Sequence, residues 1–359
     1  MLNKQTKVVV ELECKYLKNS DLNAYRECSK YLSLIVGKIY FKKINVNVEK
    51  LNIRNKYLLR HIIHKYNSSL NLLNIKNIYE MKYFSTYKVK FINFNAYFND
   101  LYYEYFMPNS LHALYFGQQF NREIKKGALP NLLHTLHFGQ QFNQEIKEGV
   151  LPNSLHTLYF GHQFNQEIKE GVLPNSLHTL TFSYKFNIGI KEGVLPNSLH
   201  ILTFSYKFNI EIKKRALPIS LHTLHLGHKF NQKIKEGVLP NSLYTLTFGY
   251  KFNIEIKKGV LPNSLHTLFF GYKFNQKIKE GILPYSLHTL HFGCRFNQEI
   301  EERVLPNSLH TLQFSYCFNQ EIKEGVLPKS LQILKLKNRI YKKNFSQKIK
   351  LLYPNLDIL

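Results

Sequence analysis

The sequence predicts a β-rich solenoid: a stack of 22-residue coils carrying a parallel β-sheet, preceded by a small helical N-terminal region. Two observations carry this. Eleven of the 12 prolines, from Pro108, Pro130 and Pro152 onward to Pro328, stand 22 residues apart without one slip. The unit between them reads P-N-S-L-H-T-L-x-F-G-x-x-F-N-x-x-I-K-E-G-V-L, so apolar residues return at fixed offsets from each proline in ten complete repeats. Composition agrees: 359 residues at 44% hydrophobic can bury a core, whereas five alanines are too few for a mainly helical protein.

The elements follow in order. Ser20 or Asp21 can cap a first helix with the stripe Leu22, Tyr25, Cys28, Leu32 and Ile35, and Gly37 can end it. Leu58, Leu59, Ile62, Ile63 and Tyr66 suggest a second, so residues 1–66 read as a small basic helical region. Residues 67–107 read as degenerate repeats. Ser69 to Ile75 holds an L-x-x-L-x-I, and Val89, Ile92, Phe94, Phe98, Asn99 and Met107 fall at the offsets of the unit.

Residues 108–337 are the regular array. Leu at offset +6 and Phe at +8 face one side of a short strand, while +5 and +7 face the other. Gly at +9, replaced by Ser183, Ser205 and Ser315, lets the chain leave the strand. Phe at +12, Ile at +16 and Leu at +21 bring apolar groups back to the core, and the Leu-Pro-Asn-Ser corner reads as an extended segment followed by a turn. Residues 338–359 are expected to form an irregular last repeat and cap, with Phe345-Ser346-Gln347-Lys348-Ile349 matching F-N-Q-K-I.

Net charge is +25, which raises nucleic acid as a partner, but its distribution weakens that reading. Residues 1–107 carry 18 basic and 8 acidic groups, residues 108–327 carry 23 and 15, and residues 328–359 carry 8 and 1. The excess therefore sits mainly in the flanks. Short apolar runs and the opening MLNKQTKVVVELECK offer neither a membrane span nor a signal peptide. A cytoplasmic setting with Cys14, Cys28, Cys294 and Cys317 reduced is expected. No Walker loop, G-x-G-x-x-G or G-x-S-x-G occurs, so neither an enzyme nor a cofactor is expected.

The recurring F-N-x-x-I-x-x-G-x-L-P-x-S-L, as from Phe142 to Leu155, resembles the FNIP repeat. This leucine-rich-repeat variant is found mainly in amoebae and in the large DNA viruses that infect them. The resemblance covers about two-thirds of the chain and implies a leucine-rich-repeat-like solenoid that serves as a non-catalytic protein–protein interaction scaffold. If the source is such a virus, the cytoplasm expected above is that of the host cell. Proteins of this family often carry an N-terminal F-box. Leu17, Asp21-Leu22 and Cys28-Ser29-Lys30 resemble the latter half of such a module, with 16 residues before Leu17. A degenerate or truncated F-box implies docking of a cullin-ligase adaptor through residues 17–36, and the role of a ubiquitin-ligase substrate receptor.

Recurring polar residues read as structural. His at +4 (His112, His134, His156, His178, His200, His222, His266, His288, His310) forms a linear, copied column rather than the convergent set a metal needs. His288, His291, Cys294 and Cys317 are the nearest approach to a mixed cluster and lack C-x-x-C or H-E-x-x-H spacing. Asn at +13, from Asn121 to Asn319, is expected to be buried and to bridge neighbouring backbones. The variable offsets +7, +10 and +11 point to recognition. The candidate partner-binding residues are Tyr184, Lys185, Tyr206, Lys207, Tyr250, Lys251, Tyr272 and Lys273. Such amphipathic aromatics beside a basic column suit an acidic protein surface. The alternative partner is single-stranded nucleic acid, bound with help from the basic flanks; a plain solvated face enriched by codon bias fits the same residues. A monomer is expected.

Overall fold

Each 22-residue unit forms one short strand, and the strands pair in chain order into a single parallel sheet of fifteen. The computed structural model describes residues 43–47, 69–75, 88–94, 96–99 and 107–359. The first three strands are β1 (Lys43–Asn47), β2 (Ser69–Ile75) and β3 (Val89–Phe94). The regular array contributes β4 (Ala113–Tyr115), β5 (Thr135–His137), β6 (Thr157–Tyr159), β7 (Thr179–Phe182), β8 (Ile201–Phe204) and β9 (Thr223–His225). It continues through β10 (Thr245–Thr247), β11 (Thr267–Phe269), β12 (Thr289–His291), β13 (Thr311–Phe314) and β14 (Ile333–Leu336), and β15 (Asp357–Ile358) closes the sheet. The two helices expected before residue 67, and the adaptor segment 17–36, lie outside the described residues. The sheet nevertheless starts upstream of residue 67, because β1 pairs with β2 from Lys43↔Ser69 to Asn47↔Leu73.

Because the period never slips, like pairs with like: Thr157↔Thr179, Leu158↔Leu180, Tyr159↔Thr181. Every offset therefore becomes a column of side chains running along the stack. Leu at +3 and +6, such as Leu155 and Leu158, is wholly buried in all ten regular coils. Phe at +8 and +12 pack ring on ring, 3.8 Å between Phe160 and Phe164 within a coil. Across coils the same rings stand 5.4 Å (Phe160 to Phe182) and 6.2 Å (Phe164 to Phe186) apart. The offsets +3 and +20, for instance Leu155 and Val172, join the core positions read from the pattern.

Polar columns close the corners. Ser154 Oγ donates to the Leu133 carbonyl at 2.7 Å, and Leu155 N–H to the Pro152 carbonyl at 3.0 Å, a pattern copied along the array. Asn143 Oδ1 accepts the backbone N–H of Asn165 at 2.8 Å, so the Asn column bridges backbones as expected. It does so at the exposed rim, with Asn121, Asn165 and Asn187 exposed rather than buried. The donors it satisfies lie where a coil leaves the core, and that edge faces solvent. Glu at +15 pairs with Lys at +17 of the next coil, as Glu123 with Lys147 at 2.6 Å. These pairs are solvent-exposed and add little stability.

Offset +9 sets strand length. A Cβ on Gly161 would lie 1.7 Å from the Gly139 carbonyl oxygen, so glycine permits an approach that a side chain forbids. Where Ser183, Ser205 or Ser315 stands there, β7, β8 and β13 run four residues, against three in the regular coils with glycine. The serine keeps the backbone extended for one more residue.

Offset +19 is left-handed, with φ from 73° to 83° at eight glycines. Two coils place arginine there instead, Arg215 at φ 64° and Arg303 at φ 63°. An L side chain in this region costs roughly 1–2 kcal/mol, against about 0.5–1 kcal/mol for glycine's greater loss of chain entropy. Arg215→Gly and Arg303→Gly are therefore each expected to raise stability by about 0.5–1 kcal/mol. A urea midpoint unchanged or lowered in both variants would contradict the strain argument.

The last coil is closed by α1 (Arg339–Leu352), and here a local match misled. Phe345 to Ile349 lie on this helix, not in a coil, because Asn338 caps it and no proline follows until Pro354. Asn338 Oδ1 accepts the Tyr341 N–H at 3.1 Å. Tyr341 is 1% exposed, meets Phe318 edge-on at 5.4 Å and donates its hydroxyl to the Gln320 carbonyl at 2.8 Å. Burial pushes its phenol up to about 12. The helix thus covers the end of the +12 phenylalanine column at Phe318, while Leu336 of the last regular strand pairs with Phe314 at the end of the +8 column.

Candidate recognition face

The register brings the candidate tyrosines into one ladder at offset +10. Tyr184 stacks on Tyr206 at 4.6 Å between ring centroids, and Tyr250 on Tyr272 at 4.5 Å. His228 fills the gap, 4.4 Å from Tyr206 and 4.6 Å from Tyr250. Successive rings of the ladder are nearly parallel, with interplanar angles of 6° to 15°. Tyr184, Tyr250 and Tyr272 remain 38% to 40% exposed, so their edges and hydroxyls face outward.

The lysine column is attached by the backbone. Lys207 N–H donates to the Tyr184 carbonyl at 3.0 Å, and Lys229 N–H to the Tyr206 carbonyl at 2.9 Å. Each cation is thereby set beside the ring of the preceding coil: Lys207 Nζ lies 5.8 Å from the Tyr184 centroid and Lys229 Nζ 5.7 Å from that of Tyr206. Arg295 repeats the contact on Tyr272 at 5.9 Å. Lys185, Lys251 and Lys273 stand in the same column. His228, Lys229 and Arg295 belong to this face although the candidate set omits them. The signal for them was present, since all three occupy offsets +10 or +11. Burial, followed by Lys251 and Lys229, holds the His228 imidazole below its ordinary value.

Charge is sorted by offset. In residues 108–327 every Asp or Glu falls at +15, +17 or +18, and the strand-and-rim segment from +4 to +11 contains none in any of the ten coils. The face that carries Tyr, His, Lys and Arg is therefore free of carboxylates. Among the described residues, no three His, Cys, Asp or Glu side chains converge as a metal site would need. The +4 imidazoles instead make a ladder, with His156 to His178 at 5.1 Å and His156 Nδ1 bonded to the Ser154 carbonyl at 2.6 Å.

The +7 column adds a second aromatic row in the first coils, Tyr115 to His137 and His137 to Tyr159, each at 4.0 Å. Here the rings are half-buried. Burial holds His137 down to about 4 and also lowers His225 and His291. Their neutral form is the folded one, so stability is full above the unfolded value near 6.5 and falls as pH drops toward 4. The carboxylates act lower, with Glu211 held to about 2 by Lys213 and Lys235. Between about pH 6.5 and 4.5 the loss attributable to His137, discounted for its solvent exposure, is about 1–2 kcal/mol. His137→Tyr, matching both neighbours, should lose less on acidification than the parent in thermal melts. Parallel pH profiles for the two proteins would refute this.

Comparison with known proteins yields two findings. The FNIP Repeat family model matches residues 104–141, 120–163, 142–185, 164–207, 186–229, 230–273 and 274–317. Among solved structures the chain is similar to one described as "The crystal structure of CroV588 a novel circular LRR protein structure", at 49% sequence identity and a TM-score of 0.69. That similarity covers 75% of this chain and 40% of the other, so the chain spans less than half the length of that protein. No curated protein matches.

Proposed function

The chain belongs to the FNIP-repeat family, and from that premise we propose a non-catalytic scaffold whose sheet rim binds an acidic surface of a protein partner. The contact residues are Tyr184, Lys185, Tyr206, Lys207, Tyr250, Lys251, Tyr272 and Lys273, with His228 and Lys229 between them. The observation that carries this is the absence of any carboxylate from +4 to +11 in ten successive coils, beside an exposed aromatic ladder. Aromatic side chains supply contact area and charge complementarity steers the encounter.

The ring stacking favours protein over nucleic acid. A base binds an aromatic platform face to face. Tyr206, His228 and Tyr250 have both faces covered by ladder neighbours at 4.4 to 4.6 Å, and Tyr184 and Tyr272 one face each. What the inner rings leave accessible is a row of edges, hydroxyls and ammonium groups, which suits carboxylate and backbone acceptors.

Capture on the immobilised full chain from the native cell, followed by titration of the recovered partner at rising salt, tests the reading. A protein partner whose binding weakens modestly with salt is expected. A nuclease-sensitive complex with the steep salt slope of counterion release would replace this reading with nucleic-acid binding.

A finer version makes the chain a substrate receptor of a cullin-type ubiquitin ligase, with residues 17–36 docking the adaptor. Its support is the resemblance at Leu17, Asp21, Leu22 and Cys28 to Lys30. Co-purification of a cullin adaptor, lost on deletion of residues 17–36, is its expected signature; a captured set without any adaptor contradicts it. Among the described residues no helix is long and apolar enough to cross a membrane.

A further inference from the structure

The cation-on-ring contact recurs along the rim, and in one place both of its residues are cysteines. Cys294 stands at +10 and Cys317 at +11 of the following coil, the same relation as Tyr184 with Lys207. The backbone bond that defines the relation is also kept, with Cys317 N–H donating to the Cys294 carbonyl at 3.1 Å. A disulfide needs α-carbons roughly 4.4–6.8 Å apart, and residues joined directly by a cross-coil backbone bond meet that need. Burial and then the Cys294 thiol push the Cys317 thiol up, and the Cys294 thiol also raises the Tyr272 phenol, so the three groups share one electrostatic neighbourhood. Cys317 is exposed and Cys294 half-exposed, so an oxidant in solution has access to the pair.

We infer that Cys294 and Cys317 form a reversible dithiol–disulfide site that staples two neighbouring coils at the end of the tyrosine ladder. With hydrogen peroxide as oxidant, one thiolate attacks the peroxide and becomes a sulfenic acid, releasing water. The second thiol displaces a further water as the S–S bond forms. Two thiols and one peroxide thus give one disulfide and two waters, and a dithiol reductant reverses the change. Nothing else has to move far, since the coils are already bonded backbone to backbone at this point. Oxidation also removes the Cys294 proton, leaving Tyr272 a sulfur that can only accept. The ladder end would then differ chemically between the two redox states. None of this depends on which partner the rim binds.

The full chain, reduced and then exposed to a few equivalents of hydrogen peroxide at a mildly alkaline pH, provides the test. After alkylation and trypsin, residues 280–295 and 304–323 should appear as one linked species, two hydrogens lighter than their sum. Dithiothreitol should restore two separately alkylated peptides. Cys14 and Cys28 provide an internal control: in the folded chain the Cys294–Cys317 pairing should dominate, whereas in urea the pairings should spread. Cys317→Ser, checked for folding by circular dichroism, should abolish the linked peptide. Peptides that stay separately alkylated at every peroxide ratio would overturn the site. So would irreversible single oxidation of either cysteine, or a folded-chain pairing no more selective than in urea.

Discussion

Replacing Phe208 with alanine is expected to cost the array about 3–5 kcal/mol. Phe208 is 1% exposed and stacks 3.8 Å from Phe204 in its own coil. It also lies 6.2 Å from Phe186 and 6.0 Å from Phe230, so one ring serves two coil-to-coil interfaces. A single coil cannot bury enough apolar surface to offset the entropy of ordering 22 residues, so stability resides in these interfaces. Removing one ring from the middle of the array opens a cavity bordered by both neighbours. Urea unfolding of the full chain, followed by circular dichroism, measures the loss. Ile254→Ala, at a partly buried position, is the comparison and should cost far less. A Phe208→Ala midpoint indistinguishable from that of Ile254→Ala would show that the phenylalanine columns are not what couples the coils.

The second large effect is expected in binding. Changing Tyr184, Tyr206, Tyr250 and Tyr272 together to serine should weaken the captured partner at least about 30-fold, the equivalent of one hot-spot residue of roughly 2 kcal/mol. The rings are partly exposed and outside the core, so the variant should keep its far-ultraviolet spectrum and most of its stability. Gln118, Gln119, Gln140 and Gln141 occupy the same offsets in the first coils but carry neither charge nor aromatic area. Changing those four to serine should leave affinity within about twofold, since contacts at an interface rim contribute little. If the tyrosine variant binds as well as the parent, the ladder is a solvated surface and the site is elsewhere.

Much of this fold is legible in the sequence because its determinants are local. The proline corner, the alternation of Leu158 and Phe160 about Tyr159, and the return of Phe164 and Ile168 all lie within one repeat. The error at Phe345 to Ile349 has the same origin. Five residues match a coil, but the capping Asn338 and the absence of a proline before Pro354 allow a helix that hides Tyr341 against Phe318. The candidate rim was legible as a list of offsets, yet His228 escaped it. An imidazole among tyrosines looks like an exception until the rings are seen to stack.

The sequence by itself determined the period, the coil and the apolar positions at +6, +8, +12, +16 and +21, since an unbroken repeat obliges equal offsets to pair. Only the tertiary structure decided which residues meet across coils. Lys207 rests on Tyr184 and not on Tyr206 beside it in the chain, and Cys317 lies against Cys294. The Asn column runs along an exposed rim, and His137 is held neutral by burial between Tyr115 and Tyr159. Such contacts join residues about one period apart. Their geometry depends on how each coil is seated on the next, through close approaches such as that of Gly161 to the Gly139 carbonyl, and no single repeat encodes that seating.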